Sequence, residues 1–169
     1  MQAYDLSDDR VVPPSVQLLF ENEVLDLTKT AVLMDVLTSR RRKRFRKVSE
    51  IVFYYSIANF NLASLFASNR MIFNGYSANR YFRFETVVNN LLLRLFQMDY
   101  IEIKGNLNVR SSDLEVALTL AGLSFVKHLK SDYFTRLSEQ YLYTLNTIDF
   151  SPANIKILRG ERNDSNDFH

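Results

Sequence analysis

The sequence predicts a mainly α-helical single domain that carries one small β-hairpin. Three observations lead there. Apolar residues recur at helical spacing through most of the 169 residues. The period switches once to two, near residues 100–118, and then returns to helical spacing. Apolar residues make up 47% and charged residues 24%, the balance of a chain able to bury a real core.

The elements follow in order. Residues 1–22 are polar at the start and punctuated by Pro13-Pro14, so they read as a flexible lead-in. From about Val24 to Thr38, Leu27, Ala31, Met34 and Leu37 define a first amphipathic helix. A second helix begins at Ser49-Glu50, with Ile51, Tyr55, Ala58, Leu62 and Leu65 on one face. Ser68 to Ala78 is a looser stretch containing the turn dipeptide Asn74-Gly75. The third helix, Asn79 to Asp99, has neither Gly nor Pro. Phe84, Val88, Leu91, Leu95 and Met98 gather on its core side, opposite Arg80, Arg83, Thr86, Asn90, Arg94 and Gln97. Its core stripe is expected to pack on Ile51, Tyr55 and Leu129.

Tyr100–Lys104 and Leu114–Leu118 alternate as two half-buried strands joined by a projecting loop of about nine residues. Thr119 is placed to cap a further helix through Leu123, Phe125, Val126 and Leu129. A last helix over about Asp132–Thr147 buries Phe134, Leu137, Tyr141 and Leu145. Pro152 is expected to end ordered helix, leaving 151–169 as a C-terminal tail beyond a domain spanning 23–150. Three helices, a hairpin and a helix form the order of a winged helix-turn-helix-like domain with an extra C-terminal helix.

Charge is concentrated. Arg40, Arg41, Arg42, Lys43, Arg44, Arg46 and Lys47 put seven cations in eight positions. Subtracting these seven from the net charge of +2 leaves −5 for the rest of the chain. Such a knob suits a phosphate backbone or an acidic protein face, or else forms a solvated connector between helices. With Arg80, Arg83, Asn90 and Arg94 of the third helix, it makes up the expected surface for DNA or an acidic partner.

Little points to catalysis. Four scattered glycines build no phosphate-cradling loop, His128 reads as a surface or satisfied helix residue, and His169 is the last residue of the expected tail. Asp113 and Glu115 could hold a cation but read better as a solvated hairpin, and Phe53-Tyr54-Tyr55 reads as core and partner surface before base-stacking. No catalytic, cofactor or metal residue is assigned, and the chain reads as a non-enzyme. Cysteine is absent, which excludes disulfides and thiolate metal sites. The opening residues lack the cationic head and apolar stretch of a signal peptide, and no apolar run approaches the roughly 18 residues of a membrane span. A cytoplasmic setting without membrane contact is expected.

Ala31-Val-Leu-Met-Asp-Val-Leu37, the cationic connector, Ser49–Phe60, Arg83–Leu92 and Leu118-Thr-Leu-Ala-Gly122 resemble the middle component of bacterial ABC-three-component systems, the small subunit of Lamassu-type defence complexes. The resemblance covers most of Ala31 to Leu145 and transfers no catalytic residue. It implies a non-catalytic winged-helix subunit in anti-phage or anti-plasmid defence. Such a subunit bridges or restrains a nuclease-type effector beside an SMC-like coiled-coil ATPase, with double-stranded DNA as a further contact. The alternative is a free-standing winged-helix DNA-binding transcriptional regulator.

Overall fold

A computed structural model describes residues 14–41, 43–66, 78–105 and 110–160. Over these residues the chain is mainly helical, with six α-helices and a three-stranded antiparallel sheet.

Helix α1 runs from Pro14 to Arg41. The lead-in expected through residue 22 is therefore helical from Pro14, because proline tolerates the first turn of a helix, where its missing N–H has no intrahelical partner. Leu27, Ala31, Met34 and Leu37 are all buried, as their spacing predicted. Strand β1, Arg46–Lys47, lies within the cationic run and was not foreseen. Helix α2 spans Val48–Asn59 and forms the centre of the domain. Residues Glu50 to Ile57 are all buried, so this helix is enclosed on every side and not only along one face. It ends sooner than expected, at Asn59, and Asn61 in the left-handed region turns the chain so that Leu62 and Leu65 lie beyond it. The expected Asn74-Gly75 turn lies outside the described residues.

Helix α3, Ala78–Gln97, presents Val88, Leu91 and Leu95 to the core. Phe84 is half-buried and stacks on Phe60 at 4.2 Å. Met98, expected in the same stripe, is exposed. The helix has ended before it, and Asp99 at φ 59° turns the chain toward the sheet. Strands β2 (Ile101–Lys104) and β3 (Glu115–Leu118) form the expected hairpin. The sheet order is β1-β3-β2, with Arg46 opposite Val116, and Ile101 opposite Leu118.

Helix α4, Leu120–Lys127, starts on its Thr119 cap, whose hydroxyl oxygen accepts from Gly122 N at 3.1 Å and donates to Asp99 O. The first turn of α4 sits directly on the backbone leaving α3. A Cβ at Gly122 would stand 2.1 Å from Tyr100 O, and carbonyl oxygen cannot swing aside as a side chain can. Gly122→Ala should thus shift α4 and cost about 1–3 kcal/mol, the usual range for overpacking. Urea denaturation of the two proteins checks this, and equal midpoints would count against the close approach.

Helix α5, Asp132–Thr147, buries Leu137, Tyr141 and Leu145, with Phe134 half-buried. Tyr54 Oη donates to Ile148 O at 3.1 Å and ties α2 to the end of α5. The tail expected from residue 151 is corrected in its first part. Pro152 opens helix α6, Pro152–Arg159, behind a Ser151 cap that accepts from Asn154 N. Leu158 of α6 is fully buried, so this helix belongs to the domain. Among the described residues no helix is long and apolar enough to cross a membrane.

Candidate functional site

The cationic run does not stand free as one knob. Arg40 and Arg41 are the last residues of α1, where positive charge offsets the partial negative charge of the helix end. Arg40 Nε donates to Asn146 Oδ1 of α5 at 3.0 Å. The Arg41 side chain and all of Arg42 lie outside the described residues. Lys43 pairs with Glu115 at 3.0 Å, and Arg44 pairs with Glu102. Glu115 stands between Lys47 of β1 and Lys104 of β2 in the register of the sheet. The Lys43 hydrogen bond, with Lys104 and Lys47 nearby, holds its carboxyl below the ordinary carboxylate range. Glu115 is thus the anion of a lysine cluster and not a ligand waiting for a cation. Arg44 and Lys104 each lie over the Phe45 ring, 5.4 Å from its centre.

Arg46 is a correction to the expected binding surface. It is only 5% exposed. Its Nη2 donates to Leu37 O at 2.8 Å, and Nη1 lies 3.6 Å from Glu50 Oε2. Alternation in β1 explains it: Arg46 turns inward to join α1 to α2, while Lys47 turns outward. Among the described residues the run therefore contributes Arg40, Lys43, Arg44 and Lys47 to the surface, with two carboxylates of the hairpin already among them.

On α3, Arg80, Arg83, Asn90 and Arg94 are exposed as expected. Arg94 is engaged with Glu23 of α1 at 2.9 Å. An open cleft of about 480 Å³ lies along this helix, lined on α3 by Phe82, Glu85, Thr86, Asn89 and Asn90. Arg110, Ser111 and Ser112, from the segment ahead of β3, and Arg159 of α6 line it as well. Arg159 also stacks on the Tyr81 ring at 5.2 Å.

Four exposed apolar residues of this helix were missed. Phe82 is 69% exposed, Leu93 51%, Phe96 45% and Val87 41%. The sequence did hold a signal, because α3 has more apolar residues than one core stripe can absorb. Phe53, Tyr54 and Tyr55 are at most 2% exposed, so they are core and neither stack on bases nor offer a partner surface. His128 is an exposed residue at the end of α4 whose Nδ1 lies 2.6 Å from Ser124 O. Among the described residues no group of histidines and carboxylates could hold a metal ion.

Comparison with protein-family models, with curated proteins and with solved structures gives no match.

Proposed function

We propose that the chain is a non-catalytic winged-helix-type adaptor, the small subunit of a defence complex built on an SMC-like coiled-coil ATPase and a nuclease-type effector. The observation that carries the adaptor reading is the outward face of α3, which exposes Phe82, Leu93 and Phe96 beside its arginines. A helix that reads base edges needs hydrogen-bonding and cationic groups along its outer face. Large apolar groups held in water suit burial against protein. The cationic run points the same way, since Glu102 and Glu115 already engage two of its side chains and Arg46 is internal.

The winged-helix assignment rests on the order α1-β1-α2-α3-β2-β3, in which a short strand between the first two helices joins the far hairpin in the order β1-β3-β2. The ATPase and effector rest on the resemblance of the Ala31–Leu145 stretches described above. Double-stranded DNA, as a contact of the assembled complex or as the target of a free-standing regulator, rests on the exposed Arg80, Arg83 and Asn90 together with Arg40, Lys43, Arg44 and Lys47.

The test is expression of the chain, tagged, together with its neighbouring genes. The expected result is a complex retaining a coiled-coil ATPase and a second subunit through gel filtration. A chain that elutes alone and shifts its own upstream DNA is instead a regulator. Substituting Arg40, Arg41, Arg42 and Arg44 together by Gln separates the DNA contribution. Glutamine is the better choice because a glutamate at 44 would face Glu102. If the run holds DNA, the variant should lose most of the salt dependence of retention, which follows a log-log slope of about −0.9 per neutralised phosphate.

A further inference from the structure

We infer that the outward face of α3 is a docking seam for one amphipathic helix of a partner, heptad-patterned and flanked by acidic residues. The inference rests on the adaptor reading and names the surface that reading requires. Phe82, Thr86, Asn89, Leu93 and Phe96 follow one another at spacings of four, three, four and three. That is the a/d rhythm of a coiled-coil seam, and here it lies on the opposite side of the helix from the buried Val88, Leu91 and Leu95.

The seam is open. Phe82, Thr86, Leu93 and Phe96 are exposed and Asn89 is half-exposed. Thr86 spends its hydroxyl on Phe82 O at 2.9 Å, which leaves its methyl as the group available to a partner. Asn89, mid-seam, is the residue type that fixes the register of a coiled coil at some cost in stability. Phe82, Thr86 and Asn89 of the seam also line the cleft, so a partner entering there meets Arg110, Ser111 and Ser112 as well as the helix.

The border decides the occupant's charge. Arg83 follows Phe82 on α3, and Arg110 and Arg159 line the cleft, against one carboxylate, Glu85, among the described residues that line it. A helix with Glu or Asp beside its apolar seam is attracted here, and a lysine-flanked one is repelled. Duplex DNA would meet the same arginines but would leave Phe82, Leu93 and Phe96 without apolar partners.

Two synthetic four-heptad peptides test this against the intact chain, both with Ile and Leu at the seam positions. One carries Glu at the flanking positions and the other Lys. By fluorescence anisotropy the Glu-flanked peptide should bind in the micromolar range, at least about tenfold tighter than the Lys-flanked one. Leu93→Asp combined with Phe96→Asp should reduce that binding at least about tenfold. Because both positions are exposed, the circular-dichroism melt should be unchanged, and Phe82→Asp serves as an independent second variant. The Gln variant of the cationic run should bind the Glu-flanked peptide as wild type does. Failure of the Glu-flanked peptide to bind, equal binding of both peptides, or binding unchanged in the Asp variants would overturn the seam. So would competition by a 25-base-pair duplex that the Asp variants do not relieve. Wild-type self-association in sedimentation, abolished by the Asp variants, would assign the face to a second copy instead. In the co-expressed complex the two readings separate cleanly. Loss of every partner from the wild-type chain defeats the adaptor reading, whereas a complex equally intact in wild type and Asp variants defeats the seam alone.

Discussion

Arg46→Ala is expected to destabilise the fold by about 3–5 kcal/mol, the range for removing one member of a buried ion pair. The guanidinium is enclosed between Leu37 O at the end of α1 and Glu50 in the first turn of α2. Without it, the Glu50 carboxylate stays buried beside a Leu37 carbonyl that has lost its side-chain donor. Guanidinium chloride denaturation reads the loss directly. Lys47→Ala, one residue along on the outward side of β1, should stay within about 0.5 kcal/mol of wild type. The double substitution Arg46→Met with Glu50→Leu should recover most of the loss, since apolar groups of similar volume replace both charges. If Arg46→Ala and Lys47→Ala melt alike, Arg46 is not the internal joint described here.

The second large effect is on α3. Leu91→Ala should cost roughly 2–5 kcal/mol, because deleting buried methyl groups removes their transfer free energy and leaves a cavity that closes only in part. Leu91 is 7% exposed and belongs to the core cluster with Val88, Leu95, Ile51 and Tyr55. Leu93→Ala, two residues on and half in water, should change stability by no more than about 0.5 kcal/mol. The contrast between two leucines on one helix separates the core face from the outward face by experiment. A Leu93→Ala protein as unstable as Leu91→Ala would mean that both faces are packed within the domain.

The elements with strong periodicity were legible as sequence. Helix α5 was expected over about Asp132–Thr147 and occupies those residues, because its stripe of Phe134, Leu137, Tyr141 and Leu145 is regular; the Ser131 cap and the extended Ile148 at its ends are seen only in the structure. The hairpin was legible from alternation alone, and the Thr119 cap from the residue type ahead of an apolar run. Pro14 and Pro152 were read as breaks but stand at helix starts, where the same ring that breaks a helix interior is tolerated. A two-residue strand such as β1 has no period to detect. Only its partner β3 makes it a strand.

The candidate surface was legible in composition and not in arrangement. A run of seven cations reads alike whether its members face water, a carboxylate or the core. The sheet decides between them. It turns Arg46 inward, sets Glu115 between Lys47 and Lys104, and brings Lys43 and Arg44 to the carboxylates of the hairpin. On α3 the apolar residues exceed what one stripe needs, but two stripes compete for the core until neighbouring helices choose.

By itself the sequence determined the helical class, the hairpin and most of the core, because local spacing and capping chemistry act within a few residues of chain. The tertiary structure alone decided that Arg46 is internal, that hairpin carboxylates engage part of the cationic run, and that Phe82, Leu93 and Phe96 face outward. Those outcomes depend on groups far apart in sequence meeting in space, and burial and charge pairing are properties of the meeting and not of the residue.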